Sequence, residues 1–275
     1  MKKRIILSAL SLFMTSLTVS LSAQTLTGDW AFGAQDGTPI TNGDATGFTY
    51  QVDVQSNSTA TTYFAPGATP LTLAEGETLQ MTFNVTFNYQ REGAGKNAND
   101  AFRFGLMNTG DSQTTGNNYS VSGNSGWTGY SIWAPSLAGG TNPTLTLRDR
   151  QGTNDIVMAS SANPTISTLT YDNVTNPLNN GTYAGELSVT RTATGVTISG
   201  SIGAYSFTDV VDDTNGVFSF DAIQFFAAGT PLGQAGDGGS FSVSDLSVAV
   251  IPEPETNALI IGLGILSIAC LRRIR

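Results

Sequence analysis

The side chains able to do chemistry in this 275-residue chain are carboxylates and aromatic rings. There is no histidine, and the single cysteine is Cys270. Ser-His-Asp and Cys-His nucleophilic sites and the usual zinc sites are thereby excluded, because they need imidazole or paired thiolates. Between residues 24 and 251 the glutamates are Glu75, Glu77, Glu92 and Glu186. Two fall in a turn-like Ala74-Glu75-Gly76-Glu77 and one in a Gly-rich loop, while Glu186 begins a strand with no partner at acid/base spacing. Asp212-Asp213 before Thr214-Asn215-Gly216, Asp237-Gly238-Gly239 and Asn97-Ala98-Asn99-Asp100 read as turn formers. Asp and Asn favour such positions because they bond their own backbone two residues on. Calcium ligation is the other use open to these turns, and no other cofactor is indicated.

Binding is the chemistry the composition suits better. Residues 108–135 are rich in Gly, Asn, Ser and Thr and carry Tyr119, Trp127, Tyr130 and Trp133. Sugar rings have apolar faces that stack on aromatic rings, and Asn or Ser can meet their hydroxyls. These four aromatics are therefore the candidate glycan-binding residues. The plainer alternative makes Tyr130 and Trp133 core or sheet-edge aromatics, and Trp30 is expected in the core.

The elements that must position these groups are strands. Leu79, Met81, Phe83, Val85, Phe87 and Tyr89 alternate with Gln80, Thr82, Asn84, Thr86 and Asn88. Period two over that length puts one face on a core and one in water. A second strand follows Asn99-Asp100, with Phe102, Phe104 and Leu106 inward and Arg103 outward; shorter ones are expected at Tyr130–Trp133 and Thr144–Arg148. Gly185 to Ile202 reads as a hairpin turning at Ala193-Thr194-Gly195. Phe218, Phe220, Ile223 and Phe225 form a further apolar strand. In Phe241–Val250 the apolar parity switches from Phe241 and Val243 to Leu246, Val248 and Val250. A β-bulge near Ser244-Asp245 would restore one inward face. The expected fold is all-β, a two-sheet antiparallel β-sandwich over residues 24–251.

Charge narrows the function classes. The 24–251 segment holds six Lys and Arg against nineteen Asp and Glu, a net −13, where the whole chain is −9. Nucleic acid is an improbable partner for so acidic a body, as is an anionic lipid surface. No disulfide can form there, so stability must come from buried apolar area.

Both ends read as addresses. Met1-Lys2-Lys3-Arg4, an apolar run from Ile5 to about Val19, and Ser20-Leu21-Ser22-Ala23 form a signal peptide over 1–23, cut near Ser22 or Ala23. It implies the Sec translocon and signal peptidase as partners. At the other end, Pro252-Glu253-Pro254 is a stiff break. An apolar run from Ala258 to Leu271 and the cations Arg272, Arg273 and Arg275 follow it. Those cations should sit on the cytoplasmic side of a bilayer. The fourteen-residue run rises roughly 21 Å as a helix against a hydrocarbon core of about 30 Å. Thr256 and Asn257 and snorkelling arginines cover part of the gap, giving a single transmembrane helix over about 256–271.

Pro252-Glu253-Pro254, the short apolar run and the terminal arginines, in that order, resemble the PEP-CTERM sorting signal of Gram-negative bacteria over residues 252–275. The resemblance implies recognition by an exosortase, an inner-membrane transpeptidase-like enzyme. It also implies an inner-membrane-anchored precursor that passes to the cell surface or the extracellular matrix. A second resemblance rests on Thr62-Tyr63-Phe64, Leu73 to Leu79, Phe102 to Leu106, the Arg191…Gly195 hairpin and the Phe241–Val250 strand. These are similar to segments of the concanavalin A-like lectin/glucanase jelly roll. Glucanases of that fold use Glu-x-Asp-x-x-Glu to place two carboxylates about 5 Å apart on one strand face, and that motif is absent. The expectation is a non-enzymatic exosortase substrate of the envelope or exopolysaccharide matrix, structural or weakly binding extracellular polysaccharide. The alternative is a secreted polysaccharide hydrolase or lyase.

Overall fold

The computed structural model describes residues 22–34, 42–51, 58–88, 102–114, 126–134, 144–151, 163–171, 178–227 and 239–253. The expected helix over 256–271, the residues 1–21 of the signal peptide, Pro254, Arg272, Arg273, Arg275 and Tyr119 lie outside them. Among the described residues no helix is long and apolar enough to cross a membrane.

The described residues form strands throughout. In chain order they are β1 (Ser22–Ala23), β2 (Ala31–Ala34), β3 (Asn42–Asp44), β4 (Gly47–Gln51), β5 (Ser58–Tyr63), β6 (Leu71–Thr72), β7 (Thr78–Asn88) and β8 (Phe102–Asn108). Then come β9 (Thr128–Trp133), β10 (Thr144–Gln151), β11 (Thr165–Thr170), β12 (Gly181–Arg191) and β13 (Val196–Ile202). The last are β14 (Tyr205–Asp212), β15 (Ser219–Phe220), β16 (Ala222–Ala227) and β17 (Ser240–Ile251). One sheet runs β14-β13-β12-β7-β17-β4-β3, with β1 also on β17; the other runs β11-β10-β9-β8-β16-β5-β2. Every pairing is antiparallel. The fold is the expected two-sheet sandwich.

The alternation in β7 is realised as expected. Leu79, Met81, Phe83, Val85 and Phe87 are buried between the sheets, while Gln80, Thr82, Asn84 and Thr86 are half-exposed. The wet face carries cross-strand polar pairs: Thr78–Thr190 and Thr86–Thr182 hydroxyls, and Gln80 donating to Glu186 at 2.8 Å. Inside, Phe83 meets Phe104 and Phe225 edge-on at 4.9 and 5.0 Å, the geometry in which ring quadrupoles attract. The β12–β13 hairpin turns where expected, with the Thr192 amide donating to the Gly195 carbonyl at 2.9 Å. The bulge in β17 also falls where the parity switch placed it. Its register with β7 shifts between Ser244 and Ser247, and Asp245 takes φ 52°.

Two expectations are corrected. Phe218–Phe225 is not one strand: Ser219–Phe220 pairs with Leu71–Thr72, and Ala222–Ala227 enters the seven-stranded sheet. Asp221 stands at the break, because its carboxylate is taken up by Thr109. Arg103 points away from the core as expected, yet it is not in water: it is 5 % exposed. The outer face of the seven-stranded sheet carries its own apolar cluster of Tyr63, Met107, Trp127, Ala222 and Phe226. Chain at Ser112 and Asn163 folds over this face and bonds to it.

Candidate functional site

Of the four aromatics singled out in the sequence, the three among the described residues are used for structure. Trp127 and Tyr130 are fully buried. The Trp127 indole donates to Ser112, 3.1 Å to both its carbonyl and its hydroxyl oxygen. Trp133 is 8 % exposed, and the guanidiniums of Arg103 and Arg148 lie 3.7 and 4.0 Å from its ring centroid. A sugar has no open ring face to stack on at these three residues. Tyr130 instead donates to Asp212 at 3.0 Å and accepts the Val217 amide at 2.8 Å. Burial first, and the nearby carboxylates after it, push its phenol well above the ordinary range.

The carboxylates are likewise engaged in structure. Glu77 caps its turn by accepting the Ala74 amide at 2.7 Å, and Glu186 accepts from Gln80 and Ser188. Asp212 accepts the amides of Thr214 and Asn215, the turn the sequence predicts. Asp149 is its inward neighbour from the other sheet. Asp149 is buried, with one oxygen taken by Gln151 at 2.9 Å and the other without a hydrogen bond. Among the described residues no group of three or more His, Cys, Asp or Glu is arranged to hold a metal ion.

An open cleft of about 720 Å³ lies elsewhere, lined by Thr27–Ala31, Tyr63–Pro66 and Gln113–Thr114. It falls within the size range of small-ligand sites. Three segments distant in sequence build it. Trp30 anchors the first: its indole donates to the Asp44 carbonyl at 2.8 Å, and its ring sits 4.4 Å from Phe48. Gly28, at φ 73°, makes the turn that brings Asp29 to the rim. The second segment leaves the end of β5. Phe64 and Ala65 donate their amides to the Asp221 carbonyl at 3.0 and 3.4 Å, which sets the cleft wall. Tyr63 ties the third segment down, donating to the Thr114 carbonyl at 2.8 Å and accepting the Thr114 amide at 2.9 Å.

Asp221 is the hidden support of the cleft. It is fully buried and accepts the Thr109 amide, the Thr109 hydroxyl and, at 3.0 Å, the Gln113 side-chain amide. Gln113 also donates to the Ala65 carbonyl at 2.9 Å. Both amide hydrogens being spent, its carbonyl oxygen is left as an acceptor. Asp29 is exposed, and no donor among the described residues meets its carboxylate. Trp30 and Phe64 are core residues at 9 and 8 % exposure, so the open apolar surface of the lining is Ala65 and Pro66, beside a few oxygen acceptors. None of its residues was singled out as a site from the sequence, and Trp30 was assigned to the core alone.

No protein-family model matches the chain, and no curated protein matches it. Among solved structures it is similar to basic winged bean lectin with Tn-antigen, at 11 % identity and a TM-score of 0.48. That similarity covers 84 % of this chain and 98 % of the lectin. The Ca2+/Man3GlcNAc-bound exoplasmic/lumenal domain of VIP36 is similar at 10 % identity and a TM-score of 0.43, over 85 % of this chain and 90 % of that one. Metal-free lectin I-B4 from Griffonia simplicifolia follows at 14 % identity and a TM-score of 0.43, over 81 % and 93 %.

Proposed function

We propose that this chain is an exported protein of the Gram-negative cell envelope or exopolysaccharide matrix. Its β body binds extracellular polysaccharide weakly through the Trp30–Phe64–Gln113 cleft and does not cleave it. The cleft carries this reading: an apolar wall beside a few hydrogen-bonding groups, all fixed before a ligand arrives, suits a sugar ring with its CH face and hydroxyls. A non-enzymatic role is favoured by the position of the carboxylates that come together. Asp149 and Asp212 lie between the sheets, where a polysaccharide cannot reach them.

Export and sorting complete the proposal. Residues 1–23 act as the signal peptide, and Pro252, Glu253, Pro254, Arg272, Arg273 and Arg275 as the sorting signal read by an exosortase. The layout of the body supports this. The Gln24 amide, the first after residues 1–23, donates to the Val248 carbonyl at 2.8 Å, so the body begins beside the strand that leads to the sorting signal. Two segments addressed to the same bilayer are served by such neighbouring exits.

The test is a glycan-binding screen of the body run beside a reducing-sugar release assay. Saturable binding weakened by Gln113→Ala, without release of reducing ends, is expected. Release of reducing ends, abolished by substituting a carboxylate, would replace this reading with a polysaccharide hydrolase or lyase.

A further inference from the structure

We infer that the cleft selects an amino sugar bearing a free ammonium group, such as the glucosamine residues of a deacetylated glycan, over neutral and acidic sugars. The inference rests on the binding role proposed above and names the ligand class of that same site.

Three observations carry it. The first is the balance of donors and acceptors. The Trp30 indole N–H goes to the Asp44 carbonyl, the Tyr63 hydroxyl to Thr114, and both amide hydrogens of Gln113 to Ala65 and Asp221. What the lining has left to offer is oxygen: the Asp29 carboxylate and the Gln113 carbonyl, the Thr27 hydroxyl being engaged by the Asp29 amide and Thr62. A site short of donors fits a ligand that brings its own, and an ammonium brings three.

The second is charge. Among the described residues Asp29 is the one acidic side chain of the lining, and no arginine or lysine lines the cleft with it. Its carboxylate is free of donors among the described residues, so a cation entering the cleft displaces no existing partner. A uronate or sulfated sugar would meet that carboxylate with nothing to offset the repulsion. The third is the field of the body, whose net −13 raises the local concentration of cationic ligands and lowers that of anionic ones. Ala65 and Pro66 supply the open apolar surface for the CH face of the ring, so the ammonium adds selectivity to a contact that any pyranose could make.

The experiment titrates the protein with chitosan oligosaccharides, with N-acetylated oligosaccharides of the same length, and with oligogalacturonate, at low and moderate salt. The deacetylated oligomers should bind about two- to five-fold more tightly than the acetylated ones, the range expected of one exposed ion pair. That margin should shrink with salt, and oligogalacturonate should bind least. Asp29→Asn should erase the margin between the two oligomers. Asp209→Asn removes the same charge from an exposed position on β14, in the other sheet, and should keep the margin. Equal affinity for the two oligomers would overturn the inference while leaving glycan binding intact. A margin that survives Asp29→Asn, or falls equally with Asp209→Asn, would also overturn it by showing bulk attraction. Failure of every oligosaccharide to bind would remove the proposed function as well.

Discussion

The guanidinium carbon of Arg103 lies 3.7 Å from the centroid of the Trp133 ring. The same group sits 4.4 Å from the Phe226 ring, and Arg148 sits 4.0 Å from Trp133. Phe226, Arg103 and Trp133 are direct cross-strand neighbours on β16, β8 and β9. The result is a ladder of alternating rings and cations across the outer face of the seven-stranded sheet. Burial, and then the charge of Arg148, bring the Arg103 guanidinium down to about 9, so it stays charged at neutral pH. Stacking compensates part of the desolvation, because a cation over a ring is worth roughly 0.5–2 kcal/mol. In a body of acidic composition, these cations hold a structure together and are not presented to ligands.

Trp133→Ala should therefore destabilise the protein by about 3–5 kcal/mol, the usual range for removing a buried Trp. Denaturant unfolding midpoints would show the loss. Glycan affinity of the folded fraction should stay unchanged, since Trp133 does not line the cleft.

Asp221 gives a second expectation, and here stability and binding move together. Asp221→Ala leaves the Thr109 amide, the Thr109 hydroxyl and one Gln113 amide hydrogen without their acceptor. A loss of about 2–4 kcal/mol is expected for breaking bonds to a buried charged group. The freed Gln113 side chain should also weaken binding in the variant that remains folded. Asp221→Asn keeps one acceptor oxygen and should lose less on both counts.

Asp149 sets a pH dependence of known sign. Burial first, and more weakly the charge of Asp212, hold its carboxyl above the ordinary range, while the bond from Gln151 opposes them. The folded state therefore holds this proton to higher pH than the unfolded chain, whose Asp titrates near about 3.9. The contribution is complete below that value and is lost as pH rises through the raised folded value. Asp149→Asn removes this slope. The variant should be more stable than the parent near neutral pH, by on the order of 1 kcal/mol for relief of a buried unsatisfied oxygen. The advantage should fade on acidification, as thermal unfolding across pH 4 to 7 would report. A variant less stable than the parent throughout would show that the ionised carboxylate is compensated.

The neighbouring exits of the chain can be tested with two cysteines. Ser22 and Val250 are register partners on adjacent antiparallel strands, whose opposed Cα atoms stand about 4.5–5.5 Å apart. That spacing lies within disulfide reach. Ser22→Cys with Val250→Cys should oxidise in the purified precursor that retains residues 1–23 and restrict its mobility on a non-reducing gel. Ser22→Cys with Thr190→Cys, placed on a strand not paired with β1, should stay reduced.

How far the sequence foretold this structure depends on where each signal lay. The sandwich was legible because β7 alternates strictly, and the bulge because the parity of Phe241 and Val243 does not match that of Leu246, Val248 and Val250. Those are local patterns imposed by a two-residue repeat. The double burial of the seven-stranded sheet was not legible. Arg103 reads as outward-facing, yet it is buried, as are the polar Thr59, Thr61, Ser131 and Gln224 of the same sheet. Trp127, Tyr130 and Trp133 followed the same rule: composition marks aromatics as useful but does not say whether their faces stay open. The cleft was illegible for a third reason. Thr27–Ala31, Tyr63–Pro66 and Gln113–Thr114 carry no motif singly, and only the topology brings them together.

The most direct measurement is a structure of the protein with a bound chitosan oligosaccharide. A sugar ring against Ala65 and Pro66, its ammonium at the Asp29 carboxylate and a hydroxyl on the Gln113 carbonyl, is the predicted result. An oligosaccharide seated anywhere else, with the Trp30–Phe64–Gln113 cleft empty, would contradict it.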